Sequence, residues 1–391
     1  LCPKIAKIIS HLVLPNRLIL STHLISSMNS LIYQIALTQI PGIGDVLARN
    51  LVSYCGGVEE VFKQKKSRLL QIPGIGERLA DSIVQFKNFK PAETELNFIE
   101  KHNIKCMFYL DKDYPKRLKY LPDAPVMLFS LGNANLDAEK IVAIVGTRKA
   151  SEYGKAFTEE LVELLKPTDA LVLSGLALGI DVAAHRSAVK HGLSTVGVMA
   201  HGLDRIYPHQ HKTIAKQMLE HGGLLTEFTS GTIPDRENFP KRNRIVAGLC
   251  DVLVVVETGV KGGAMITAEI ANSYNKDIMA LPGRVSDDNS YGCNALIKLN
   301  KANIITVADD LLTLMGWENS QPQKLKQHQI PLQLGETETE ILQFIRNKTK
   351  AGIDDIAFAL QLDSGNLSLT LLDLEFNGMI RQLPGKFFEL A

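Results

Sequence analysis

Two apolar runs set the terms on which this chain can fold. Ile141-Val142-Ala143-Ile144-Val145 ends in Gly146-Thr147-Arg148-Lys149, and Ala170 to Leu173 ends in Ser174-Gly175-Leu176-Ala177-Leu178-Gly179-Ile180-Asp181. A strand with no polar face is covered on both sides, which is the condition of a parallel strand inside an α/β sheet. Each run empties into a glycine-bearing turn before a helical pattern, and in open α/β sheets that edge is where ligands sit. Backbone N–H groups in such turns, with the positive end of the following helix, favour phosphate groups.

The alternation continues along the chain. Strand patterns at 141–145, 170–173, 194–199, 223–227, 252–257, 277–281 and 302–305 are separated by helical ones such as 153–165, 181–190, 211–221 and 265–274. The fold class is therefore α/β: a Rossmann-like, doubly wound, mainly parallel sheet with helices on both faces, spanning residues 140–316.

Upstream, Pro41-Gly42-Ile43-Gly44 recurs thirty-two residues later as Pro73-Gly74-Ile75-Gly76, each copy between short helical patterns. This internal repeat marks residues 28–112 as a helical, SAM-like helix-hairpin-helix domain. Its glycines permit tight turns whose N–H groups can hold a backbone phosphate without reading sequence. With 11 basic and 9 acidic residues the domain has little pull on a polyanion, so a packing role for the same glycines stays open. Residues 113–139, with Pro115, Pro122 and Pro125, read as a linker, and so do the Gln-rich residues 317–334. Residues 335–391 follow the order of a winged helix, three helices and a two-strand hairpin. Five basic and nine acidic residues there repel phosphates and favour protein contact over DNA.

Residues 1–27 carry Lys4, Lys7 and Arg17, no acid, and apolar runs broken by His11, Pro15 and Asn16. They lack the continuous apolar centre of a secretory signal and read as an upstream extension outside the fold. Cys2, Cys55, Cys106, Cys250 and Cys293 are scattered and never spaced as CxxC, which argues against a disulfide framework or zinc site and for a reducing, cytoplasmic location. No stretch approaches the ~20 apolar residues of a membrane span. Net charge is +1, so any affinity for phosphate must come from local clustering.

That clustering is densest at Arg236-Glu237-Asn238-Phe239-Pro240-Lys241-Arg242-Asn243-Arg244, read as a loop with four cations and one ring. Single-stranded nucleic acid asks for this mixture, cations along the backbone and a ring on which a base stacks. Arg148, beside the turn at Gly146, suits a phosphodiester. Lys261-Gly262-Gly263 opens a further helix and offers amides to another phosphate. The glycines of Ser174 to Asp181 stand four apart and the first βα unit has Gly146 alone, which speaks against a nicotinamide or flavin cofactor. Asp181 reads as an N-cap. His185, His201, His209 and His211 lack metal-ligand spacing and read as core or turn residues.

These motifs, with Gly202-x-Asp204, Tyr207-Pro208, Phe239-Pro240-x-Arg242-Asn243-Arg244-Ile245, Thr267-Ala268, Pro282-Gly283 and Asn294-x-Leu296-Ile297, resemble those of the DNA-processing protein A family (DprA, also called Smf) over about 170 residues. The resemblance implies a non-catalytic, homodimeric single-stranded DNA-binding protein that protects incoming DNA in natural transformation and loads the recombinase RecA. Carried over by position, it implies DNA contacts at Arg148, Ser174, Gly175, Phe239, Lys241, Arg242, Arg244 and Lys261, with phosphate-loop glycines Gly146, Gly179, Gly262 and Gly263. The family often has Gly-Ser where this chain has Gly262-Gly263. More distantly, the sheet is similar to the lysine-decarboxylase-like nucleoside-monophosphate phosphoribohydrolases, for which Glu257 or Glu269 would be the acid or base. Their PGGxGTxxE pattern is absent.

Overall fold

In the computed structural model, residues 30–317 and 335–390 are described, apart from 349 and 384. The expectations for residues 1–27, for Cys2 and for linker residues 318–334 lie outside them. The chain divides into two units, Leu1–Asn319 and Ser320–Ala391.

The first unit is built on a nine-stranded sheet. In chain order its strands are β1 (Lys105–Phe108), β2 (Met127–Gly132), β3 (Ile141–Val145), β4 (Leu171–Ser174), β5 (Thr195–Val198), β6 (Gly222–Thr226), β7 (Val252–Val255), β8 (Asp277–Ala280) and β9 (Asn303–Ile304). They lie in the order β1-β2-β6-β5-β4-β3-β7-β8-β9. From β6 to β9 all neighbours are parallel, with Ile141 opposite Leu171 and Val142 opposite Val252. Successive side chains of β3 serve opposite faces: Ile141, Ala143 and Val145 join one core with helices Asn238–Leu249 and Gly263–Ser273, while Val142 and Ile144 join another with helices Glu152–Leu164 and Ile180–His191. The doubly wound expectation holds, and strand order reverses between β3 and β7.

Strands β1 and β2 lie where the sequence reading had the end of the helical domain and a linker. Both pair antiparallel, β1 with β2 and β2 with β6, and they extend the sheet beyond its parallel part. The stretch between Pro125 and Gly132 lacks the alternation of an exposed edge because both its faces are buried. Leu128 faces the sheet core, whereas Met127 and Phe129 face the helical domain.

The helical domain packs on that edge. A helix over residues 30–38 and helices Asp45–Cys55, Val58–Lys63, Lys66–Leu69, Glu77–Val84 and Lys90–His102 enclose a core of Ile35, Leu37, Leu51, Leu69 and Ile83. The two hairpin repeats face each other. A Cβ at Gly42 would sit 2.8 Å from Leu79 of the second helix pair, and one at Gly74 would sit 3.0 Å from Leu47 of the first. Close packing of the hairpins therefore accounts for these glycines without a ligand.

The second unit is a winged helix: helix Glu336–Lys348, β10 (Lys350–Gly352), helices Ile353–Leu360 and Ser364–Phe376, then β11 (Ile380–Leu383) and β12 (Phe387–Leu390). The short β10 joins the expected hairpin to make a three-stranded sheet, over a core that includes Ile341, Ile356, Leu371 and Phe388.

One turn can be tested for its dependence on glycine. Gly179 caps helix Ile180–His191 at φ 81°, and a Cβ there would lie 2.1 Å from the Thr147 carbonyl oxygen. Gly179→Ala is expected to cost at least about 2 kcal/mol, since both strain and collision act. Gly263→Ala, where a Cβ meets nothing within 4 Å, should stay within about 0.5 kcal/mol; urea midpoints compare the two.

Candidate nucleic-acid interface

The basic cluster read as a loop is the start of a helix, Asn238–Leu249. Pro240 falls in its first turn, where no intrahelical N–H is lost. Helical geometry turns Arg242 away from Lys241, while Arg244, three residues from Lys241 and on its face, is held inward by carboxylate partners. Phe239 is half-buried and Lys241 exposed, whereas Arg242 is buried and Arg244 mostly so.

Phe239 forms one constellation with the turn after β3, while Lys241, two residues on, lies on another side of the helix. The Arg148 guanidinium lies 5.2 Å above the centre of the Phe239 ring, a cation–π contact. Tyr207 approaches the same ring at 6.3 Å. Beside them is a pocket of about 50 Å³ lined by Leu176, Leu178, Met199 and His201. Sites that enclose a small ligand run to about 300–1,000 Å³, so this pocket can anchor only part of one. Tyr207, singled out in the sequence only within a Tyr-Pro turn, is the member that spacing did not reveal.

Four of the expected contact residues serve the protein itself. Ser174 is buried and its hydroxyl donates to the Ile144 carbonyl at 2.5 Å. Arg242 donates to the Val198 carbonyl and, through Nε, to Asn243 at 3.1 Å. A Cβ on Gly175 would collide with both Asp181 and the Arg242 guanidinium, so this glycine makes room for two buried side chains. Asp181 is not an N-cap. It lies inside the first turn, accepts from the Ala177 N–H at 3.2 Å, and has its carboxyl raised by burial against the opposing charge of Arg242. His185 is fully buried between the Gly175 carbonyl and the Thr195 hydroxyl, and burial pushes its pKa down to about 4. His211 meets the Leu176 carbonyl at 2.9 Å, as a core histidine should.

Arg244 is the fourth. Its guanidinium donates to the Asp123 carbonyl, to Glu227 and, at 3.0 Å, to Asp45. Asp45 begins a helix of the hairpin domain, and its other oxygen accepts from Val126 N–H at 2.8 Å. Burial and the nearby Asp45 charge push the Glu227 carboxyl up to about 7, although Arg244 opposes this. A neighbouring clamp joins Glu95 to the Ser230 N–H at 2.9 Å. Lys241, one turn back, stands at the edge of a cleft of about 570 Å³ between this helix and the hairpin domain.

At the strand-order reversal the fold's usual ligand crevice is filled. The buried Glu257 carboxylate accepts from the Ser151 N–H at 2.9 Å and from its hydroxyl, bracing Ser151 as it caps helix Glu152–Leu164 through the Gly154 N–H, while the Glu257 carbonyl accepts from Thr147 N–H at 2.6 Å. Gly146 packs against Ile180 and Gly262 against Thr258, whereas Gly263 faces open space. Exposed Lys261 sits beside Gly263 at the same end of the sheet. Glu269 is ion-paired with Lys301 at 2.8 Å. Among the described residues no three His, Cys, Asp or Glu side chains gather as a metal site would require, and no helix is long and apolar enough to cross a membrane.

A doubly wound sheet with exposed Arg148 and Lys241 and half-buried Phe239 near its C-terminal edge, in a chain that also carries a helix-hairpin-helix tandem and a winged helix, defines a class of modular protein. The profile of the family described as DNA recombination-mediator protein A matches residues 105–316, more than half the chain, and the chain belongs to that family. A SAM-like helix-hairpin-helix tandem matches 35–86 and the DprA winged helix domain 326–386. Protein Smf of Synechocystis is 32% identical over 91% of this chain and 98% of its own length. The crystal structure of DNA processing protein A from Streptococcus pneumoniae, 31% identical, covers 72% of this chain and 97% of that one with a TM-score of 0.63. A solved structure of DNA processing protein A from Helicobacter pylori, described for its single-stranded DNA binding mode, is 30% identical and covers 54% of this chain and 95% of that one with a TM-score of 0.50.

Two outcomes check the buried assignments. Arg244→Met should destabilise by about 3–5 kcal/mol in urea denaturation, because it strands Glu227 and Asp45, whereas Lys241→Met on the same helix should stay within about 0.5 kcal/mol. For His185, the unfolded chain takes up a proton near pH 6.5 and the folded one only near 4. Its contribution to stability therefore falls as pH drops through that window, and the gap between wild type and His185→Asn should narrow by about 2 kcal/mol from pH 7 to pH 5.

Proposed function

We propose that this recombination-mediator family member binds single-stranded DNA along the C-terminal edge of its sheet, with little sequence preference. The observation that carries the reading is the stack of Arg148 on Phe239 with Lys241 exposed on the same helix. Arg148 and Lys241 neutralise phosphates, Phe239 offers a face to a base, and Lys261 extends the track at the same end of the sheet. Ser174, Gly175, Arg242 and Arg244 act by shaping and fixing this edge. The protein shields incoming DNA during natural transformation, hands it to RecA, and works as a homodimer in the cytoplasm. It is not an enzyme. Glu257 and Glu269, the carboxylates a phosphoribohydrolase would need, are engaged with Ser151 and Lys301, which supports the non-catalytic reading.

Fluorescence anisotropy with labelled oligo-dT tests this directly. Arg148→Ala with Lys241→Ala should weaken binding at least tenfold and lower the log–log salt slope by about 1.4, or 0.7 per phosphate contact. Phe239→Ala should cost about 1–3 kcal/mol. An unchanged affinity and slope in the double variant would sink the proposed site. Recombinase loading is read separately, as stimulation of RecA assembly on single-stranded DNA by the wild type.

A further inference from the structure

The third helix of the winged helix, Ser364–Phe376, is apolar on two sides. It buries Leu367, Leu371 and Leu374 in the domain core. It also turns Leu369, Leu372 and Phe376 outward at 64%, 60% and 93% exposure, and Phe358 of the preceding helix is 89% exposed. Residues 369, 372 and 376 follow the three-and-four spacing of one helical stripe. A soluble helix that needed only its core would carry polar residues there.

Charge restricts what can cover this stripe. From Ile353 to Met379 the chain holds Asp354, Asp355, Asp363, Asp373 and Glu375 and not one Lys or Arg. Asp363 caps the helix and Glu375 accepts from the Gln382 N–H, while no ion pair among the described residues involves Asp354, Asp355 or Asp373. Among the described residues of this unit the cations lie elsewhere: Arg346 and Lys348 on the first helix, Lys350, Arg381 and Lys386 on the strands and wing. In DNA-binding members of this fold class the corresponding helix enters the major groove, where an acidic face is repelled by phosphates. A second copy fits no better, since a two-fold contact sets the same acids against themselves.

The geometry points to a docking face for a helical segment of a protein partner that presents an apolar stripe flanked by Lys or Arg. The stripe inserts against Leu369, Leu372, Phe376 and Phe358, and the flanking cations meet Asp354, Asp355 and Asp373. This inference stands independently of the DNA-binding edge.

The probe is a labelled 18-residue helical peptide of Leu and Lys in amphipathic spacing, titrated into the full-length chain and read by anisotropy. Saturable binding is expected, weakened at least tenfold by Leu372→Ser with Phe376→Ser and, separately, by Asp355→Lys with Asp373→Lys. All four side chains are on the surface, and matching circular-dichroism melts will verify that the variants fold. The proposal is overturned if both variants bind the peptide like the wild type, or if an analogue with Glu for Lys binds equally well. It is also overturned if a duplex 20-mer displaces the peptide, or if sedimentation shows self-association that Leu372→Ser with Phe376→Ser abolishes.

Discussion

The arrangement of the first unit turns on one buried guanidinium. Arg244 ties together a helix of the hairpin domain through Asp45, the segment after β6 through Glu227, and the approach to β2 through the Asp123 carbonyl. With so little water present, each of these groups depends on the others, and removing one leaves a charge stranded rather than hydrated. Because Arg244 shares a helix with Phe239 and Lys241, the same knot that joins the domains also sets where those two side chains stand. The hairpin domain thus acts on the sheet edge as a scaffold, whatever else its turns contact.

This explains a division that the bare sequence conceals. Arg148, Lys241, Arg242 and Arg244 look alike as letters near glycines and a ring. Which of them meets solvent depends on where the helix begins, and it begins at Asn238, earlier than a loop reading allows. It depends equally on a partner 199 residues away, Asp45, that no local pattern can reveal. A cation left in solvent and a cation locked to a carboxylate leave the same trace in a chain.

The parallel core, by contrast, was legible nearly residue by residue. Runs such as Ile141 to Val145 are apolar throughout because both faces are covered, and glycine turns mark where they stop. Strands β1 and β2 escaped for the opposite reason: they lie among prolines and next to helices, and their pairing is set by a domain packed from outside. The winged helix was legible as an order of elements. Its outward apolar stripe emerged only when burial separated Leu369 and Leu372 from Leu367 and Leu371.

Glu257 has an effect beyond bracing Ser151. Sheets of this type that bind dinucleotides swallow the ligand in the crevice where strand order reverses. Here the chain has filled that crevice with its own carboxylate, and the neighbouring pocket of about 50 Å³ can grip no more than a fragment. An edge closed in this way offers its exposed side chains, Arg148 and Lys149 among them, and no deep cavity as the surface within reach.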